Sequence, residues 1–381
     1  MSLDRHMFAD KLQRYMAQLQ VTANDVTQAT GISPDRMTAI LNCIADPTGD
    51  EVLILADFFR CDYRFFISNE KLAPFEQTES LFRKHGSDLT REDRWAIQEF
   101  LFLCECQAFL LSQISDVARK PFTFAKTGDF FKAHGQEAAE SLRRHLGYGA
   151  AEIPANVYEA FRSIGIHVFR RKLGRSTISG LFIRHPTAGP CVLVNYSEDV
   201  FRQRFTACHE AGHAILDDGE DFVVSYTKGP AGDHLSEIRA NTFASRFLLP
   251  PTVLQQQSIT WTEATFLDTA ARLMVNAEPL AYALRDLHLI GNPQVDTFKR
   301  LKVPAGEKKD PELPDSLSQR SRERKQELLQ RGLSDAYVGL CFDSYERGTI
   351  SASRLAEMLL IAEVELADLA TLYRRAMSHG D

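Results

Sequence analysis

Apolar residues recur along positions 6–68 at the spacing of short helices. Phe8, Leu12, Tyr15, Met16 and Leu19 line one side of a first helix. Thr22, with Asp25 three residues on, forms a capping box that starts a second helix through Ala29. Gly31 ends it, because glycine tolerates the left-handed turn. Ser33-Pro34 restarts the chain with a cap and a proline at the first helical position, and Met37, Ile40 and Leu41 supply the buried face. Thr48 with Glu51 opens a fourth helix that carries Val52, Leu55, Ala56 and Phe59 inward. Thr90, with Asp93, caps a longer helical region running from about 78 to 111. It is apolar on more than one face and is therefore expected to lie buried between domains. Residues 121–128 read as a loop and 137–146 as another helix.

From Ile166 the period changes. IHVFRRKL, ISGLFIRH and PCVLVNY are short β-rich runs separated by Gly and Pro, which predict a small sheet. Two strongly helical stretches follow, 198–216 and 235–248, the second ended by the prolines at 250 and 251. A helix pair within TEATFLDTAARLMVNAEPLAYALRDLHLI closes this part. VPAGEKKDPELP, rich in proline and charge, reads as a linker. The tail from Leu317 to Tyr373 is helical again, with a turn at residues 345–348, and packing against another domain is its expected role. The expected fold class is α+β, mainly helical. The chain divides into a helical bundle at 1–70, a helical connecting region at 71–150, a domain with a small sheet at 151–300, a linker at 301–316 and a C-terminal helical region at 317–381.

At 381 residues the chain has room for two or three cores. A formal charge of −7 argues against a protein that coats nucleic acid. The seven cysteines are scattered and form no CxxC pair, so reduced thiols in the cytoplasm are expected. The N-terminus lacks the apolar core of a signal peptide, and no run of 18 apolar residues predicts a membrane span. Helix, glycine turn and Ser-capped helix are the elements of a helix-turn-helix. VTANDVTQATGISPDRMTAILN resembles the phage-repressor-like (XRE) helix-turn-helix family over about sixty residues. Residues that would reach DNA are Asn24, Gln28, Arg36, Thr38 and Asn42. However, residues 1–70 carry six basic side chains against ten acidic ones, a net charge of −4, and phosphate contacts supply most non-specific DNA affinity. A module that contacts protein is the competing reading.

The chemistry lies in FTACHEAGHAIL. On a helix of 3.6 residues per turn, His209 and His213 stand one turn apart on the same side, where two imidazoles can hold one zinc ion. Glu210 lies beside them, displaced round the helix, where it can take a proton from water. Phe201, Phe205, Cys208, Gly212 and Ile215 form a core-facing stripe, and Cys208 reads as a core residue. Glu237 is the best third ligand, on a helix whose same face carries Ala240, Asn241, Ala244 and Leu248. The two alanines leave room for close approach. Asp217, Asp218, Glu220 and His234 are also within reach along the chain, but DDGE looks like a solvated turn. Tyr226 and His234, between the two helices, are candidates to steady an oxyanion.

FTACHEAGHAIL followed by SEIRANTFASRFLLP resembles the ImmA/IrrE family of metallopeptidases, over about residues 155–292. Cys208 stands where that family usually has alanine. The resemblance implies a zincin-like fold, His209, His213 and Glu237 on Zn2+, and Glu210 as catalytic acid/base. It also implies a zinc-dependent endopeptidase that cuts a helix-turn-helix transcriptional repressor, in a stress response or in mobile-element control. The alternative is a DNA-binding transcriptional regulator whose metallopeptidase-like domain acts as a sensor. A third reading makes the N-terminal module a docking element for repressors. The expected partner is a protein substrate and no membrane is expected; the sequence is compatible with DNA at that module and with an oligomer.

Overall fold

The computed structural model describes residues 3–61, 63–68, 81–82, 89–114, 121–174, 177–226, 234–257 and 259–377. The chain forms two compact units, Met1–Leu103 with Leu173–Ser176, and Cys104–Lys172 with Thr177–Asp381. Composition had suggested five segments, at 1–70, 71–150, 151–300, 301–316 and 317–381. The division falls inside one continuous helix, whose apolar residues leave no polar break for a linker.

In the first unit, α1 (Arg5–Gln18), α2 (Ala23–Thr30), α3 (Pro34–Leu41), α4 (Gly49–Phe59), α5 (Tyr63–Ile67) and the first part of α6 (Arg91–Gln113) enclose Phe8, Leu12, Met37, Leu55, Phe59 and Phe66. The helix starts obey local chemistry. Thr22/Asp25 and Thr48/Glu51 are reciprocal capping boxes, Ser33 caps α3 ahead of Pro34, and Thr90 with Asp93 makes the same pair of bonds before α6. Gly31 closes α2 at φ +74°, a left-handed conformation that favours glycine. Of the expected 78–111 helical region, 81–82 and 89 onward lie within the described residues.

The second unit holds the rest of α6, α7 (Phe131–His145), α8 (Val157–Ser163), β1 (His167–Arg171), β2 (Ile178–His185), β3 (Gly189–Asn195), α9 (Val200–Leu216), β4 (Phe222–Tyr226) and α10 (His234–Leu248). After these come α11 (Pro251–Gln255), α12 (Glu263–Leu273), α13 (Ala277–Asp286), α14 (Asn292–Phe298), α15 (Gln319–Gln330), α16 (Asp335–Glu346), α17 (Ala352–Met358) and α18 (Leu366–Tyr373). Three strands match the expectation. β4 was not foreseen, since DFVVSY is short and follows an acidic turn. The sheet runs β1-β3-β2-β4, with β1 parallel to β3 and the other pairs antiparallel. α9 packs on β2 and β3, and α10 packs on both α9 and α7. That last contact needs Gly135: a Cβ there would stand 2.4 Å from the Arg239 carbonyl oxygen. Among the described residues no helix is long and apolar enough to cross a membrane.

The expected linker at 301–316 is part of the second unit. Arg170 of β1, fully buried, bonds both oxygens of Asp310 (2.7 and 3.0 Å) and reaches Glu312, which Arg162 also holds at 2.8 Å. Burial alone would push the Glu312 carboxyl up, but the two guanidinium groups outweigh it and hold it below its usual range. Lys308 of the same stretch bonds Asp199, the N-cap of α9. Composition suggested solvated charge, but the charges are answered by arginines far away in sequence. The C-terminal helices join the same unit through Arg171 to the Arg331 carbonyl, Lys172 N–H to the Gln330 carbonyl, and the Phe169–Tyr337 ring contact.

Two outcomes follow from these ion pairs. An Asp310→Ala change leaves Arg170 buried with its charge half-answered and is expected to cost about 3–5 kcal/mol, read from the urea midpoint of the full chain. A loss below about 1 kcal/mol would show that Glu312 suffices. In the first unit, the Arg36 guanidinium holds the Glu51 carboxyl down to about 2. Since that folded value lies below the unfolded one of roughly 4.3, the stabilisation is complete above that pH and fades as pH falls towards about 2. Amide exchange in α3 and α4, corrected for intrinsic rates, should show this loss in wild type and a smaller one in Arg36→Ala. Equal losses would remove the pair as its source.

Candidate metal centre

α9 is buried along nearly its whole length, which is unusual for a helix bearing two histidines and a glutamate. Its first turn is anchored by Asp199, whose carboxylate accepts the Phe201 and Arg202 N–H groups and is itself held by Asn276 and Lys308. Gly212 lets α10 approach, for a Cβ there would already lie 3.3 Å from Ala240 Cα. The close crossing brings Glu237, in the first turn of α10, against the histidine pair.

The His209 and His213 Nε2 atoms lie 3.0 Å apart, Glu237 Oε2 is 3.3 Å from His209 Nε2, and Glu237 Oε1 is 3.4 Å from His213 Nε2. A zinc ion bound at about 2.0–2.1 Å in tetrahedral geometry has ligand–ligand edges of roughly 3.3 Å. The three side chains therefore already fit one cation, and two nitrogens with one carboxylate suit zinc. All three are buried, and they are the group of metal-capable side chains found among the described residues. Burial opposes the Glu237 charge, yet the two imidazoles more than offset it and hold the carboxyl well below its usual range.

The other ring nitrogens explain this convergence. His213 Nδ1 lies 2.5 Å from Asp217 Oδ2, and His209 Nδ1 lies 3.1 Å from Asn241 Oδ1. With Nδ1–H donated to each oxygen, both Nε2 lone pairs face Glu237. Asp217 also pairs with Arg239 of α10, so one carboxylate ties the end of α9 to the helix bearing the third ligand. Arg239 in turn lies over the Phe131 ring of α7. DDGE was expected to be a solvated turn. Asp218 and Glu220 are exposed, but Asp217 is only 4% exposed. It supports a ligand through the nitrogen that faces away from the cluster.

Glu210 is fully buried and points to the sheet side of α9. Neither carboxylate oxygen has a hydrogen-bond partner among the described residues. Burial pushes its carboxyl up, against His209, His213 and the Ser225 hydroxyl, which pull it down. It packs on Gly180 of β2, where a Cβ would stand 2.7 Å from Glu210 Oε1 and 2.5 Å from Thr206 Cγ2. A cleft of about 720 Å³ opens over these groups. Thr206, His209, Ser225, Tyr226 and Glu237 line its end near the ligands, and Phe205, Ile238, Tyr282 and Leu287 extend it.

The structure thus brings together His209, Glu210, His213, Glu237 and Tyr226. Cys208 is fully buried, as expected of a core residue. The side chain of His234 lies outside the described residues, although the residue begins α10. Asn24, Gln28, Thr38 and Asn42 are exposed on the first unit. Arg36 instead donates from Nε and Nη2 to both Glu51 oxygens (2.7 and 2.8 Å) and to the Asp46 carbonyl, so its guanidinium is already engaged. Asp217 was set aside as part of a solvated turn, and Arg239, Gly180 and Ser225 were missed as site residues. The i,i+4 spacing of His213 and Asp217 could have found the first, and a glycine inside a strand the third.

Residues 161–285 match the peptidase M78 family model, described as an IrrE N-terminal-like domain. This stretch carries β1–β4, α9 and α10, and it is metallopeptidase-like. No curated protein matches the chain.

Asp217→Asn preserves size but removes the carboxylate that both His213 and Arg239 use. Metal affinity, measured by competition with a chromophoric chelator, should fall about 10- to 100-fold. Wild-type affinity would mean that Asp217 only packs.

Proposed function

We propose that this protein is a zinc-dependent endopeptidase whose substrate is a helix-turn-helix transcriptional repressor, working in the cytoplasm in a stress response or in mobile-element control. The observation that carries the hydrolytic reading is the pairing of a ready three-donor cluster with an unsatisfied buried carboxylate at one end of a cleft. A site made only to bind metal needs the first and gains nothing from the second, since a buried unpaired carboxylate costs stability.

His209, His213 and Glu237 would hold the ion, and its chemistry is to polarise a carbonyl and make water acidic enough to react near neutral pH. Glu210 takes the proton from the attacking water and passes it to the leaving amine. Its surroundings suit that exchange, because burial raises its proton affinity. Tyr226, on β4 and in the cleft wall, is the better candidate to donate to the oxyanion, and His234 remains the alternative by its place in the sequence. β4 ends the strand order, so a peptide in extended form can add along it by backbone hydrogen bonds. That geometry favours a loop or a locally unfolded segment as the cut site.

The choice of a repressor rests on the resemblance of the peptidase region and on the helical unit at the N-terminus. A net acidic unit whose Arg36 is bound to Glu51 is better suited to contact protein than DNA. The exposed Asn24, Gln28, Thr38 and Asn42 support the second reading, a DNA-binding regulator with a sensing metallopeptidase-like domain. A shift assay with a steep salt dependence would favour that reading.

Glu210→Gln should keep about one zinc per chain while hydrolysis of a purified helix-turn-helix repressor drops by at least about 100-fold. Cleavage at the wild-type rate by a variant that retains metal would remove Glu210 as the base.

A further inference from the structure

The sheet beneath the metal helix is irregular at one place, and that place lies under Glu210. β2 and β4 pair in register from Ile183↔Phe222 to Gly180↔Ser225, after which the register shifts between Gly180 and Ile178. A bulge in a strand re-aims the side chains beside it. Gly180 and Ser225 stand opposite each other at the last regular pair and therefore point to the same face of the sheet. That face is the one against α9, since a Cβ on Gly180 would run into Thr206 and Glu210. The absence of a side chain at 180 admits the Glu210 carboxylate, and the side chain at 225 presents a hydroxyl to the same space.

Ser225 Oγ is shielded from solvent, as are Glu210 Oε1 and Oε2, and none of the three has a hydrogen-bond partner among the described residues. Buried hydroxyls and carboxylates are seldom left so, because each unmade bond costs on the order of 1–3 kcal/mol. A hydroxyl can donate and an ionised carboxylate can only accept, so the pair is complementary. Thr206, on the same face of α9, and Ser225 both line the cleft, so this junction opens towards substrate. An alanine at 225 would fill the strand position equally well but offer no proton.

We propose that Ser225 is a positioning residue for Glu210: its hydroxyl, set opposite Gly180 by the β2–β4 register, donates a hydrogen bond to one carboxylate oxygen and leaves the other turned to the cleft for proton transfer. This deepens the peptidase reading and rests on it for its functional consequence, but the contact itself is a property of the metal-free chain. Ser225 neither binds the ion nor touches the scissile bond; it decides which way the Glu210 carboxylate faces.

The test compares wild type, Ser225→Ala and Ser225→Thr in the full-length protein, with two readouts. In the metal-free protein, infrared difference spectra against Glu210→Gln isolate the Glu210 carboxyl bands. These should shift in Ser225→Ala and return towards wild type in Ser225→Thr, which keeps the hydroxyl. In the zinc-loaded protein, with a quenched-fluorescent peptide library as substrate, Ser225→Ala should lower kcat about 10- to 100-fold with KM and zinc content unchanged. Ser225→Thr should recover most of that loss. Unshifted bands in Ser225→Ala would overturn the proposal, as would a kcat equal to wild type or a loss that tracks missing zinc. A threonine variant as slow as the alanine one would do the same. If wild type cleaves no peptide, the peptidase reading fails, and the infrared comparison still decides whether Ser225 holds Glu210.

Discussion

The second unit is organised around the burial of ionisable groups on a single helix crossing. His209, Glu210 and His213 on α9 and Glu237 on α10 are all withdrawn from solvent. In an apolar interior each would be expensive unless its charge were answered nearby. The answers are arranged outward in sequence: imidazoles against Glu237, Asp217 and Asn241 against the imidazoles, and Arg239 against Asp217. Each layer fixes the orientation of the one inside it. Among the described residues of this crossing, Glu210 is left out of this chain of bonds.

Such a crossing requires backbones to come close, and small residues permit it at three faces. Gly135 admits α10 to α7, Gly212 with Ala240 admits α10 to α9, and Gly180 admits Glu210 to the sheet. A methyl at 135 or 180 would collide at 2.4–2.7 Å with backbone or with the acidic side chain, so these are constraints of shape before they are constraints of chemistry. The stretch at 303–313 completes the clamp. Lys308 reaches the cap of α9, while Asp310 and Glu312 lock onto Arg170 of the sheet.

Much of this was legible because the candidate ligands follow a helical period. His209 and His213 one turn apart, and Glu237 sharing a face with Ala240 and Ala244, can be read without knowing the fold. So can the capping boxes at Thr22, Thr48 and Thr90, since each is complete within four residues. What escaped was whatever depends on partners distant in sequence. Asp217 sits in DDGE, which looks solvated until Arg239 is brought beside it. The charges of KKDPELP look unburiable until Arg170, 140 residues away from Asp310, is found inside the sheet. β4 is too short to announce itself, and Ser225 acquires meaning only from its pairing with Gly180. Local chemistry is written locally, but the neutralisation of a buried charge is a relation between distant segments.

The same reasoning bears on the N-terminal unit. Its helices and turn follow the pattern of a helix-turn-helix, yet its one arginine at the start of α3 is held by two bonds to Glu51, the acid that also completes the cap of α4. Freeing that arginine for a phosphate would break the ion pair and leave the Glu51 carboxylate held by Thr48 alone. Five further basic residues stand against ten acids over residues 1–70, so little of the counterion release that drives DNA affinity is available. The exposed polar residues Asn24, Gln28, Thr38 and Asn42 keep their hydrogen-bonding capacity, which a protein surface can use without a field of positive charge. A helix whose one cation is bonded within the fold has little left to offer a phosphate backbone.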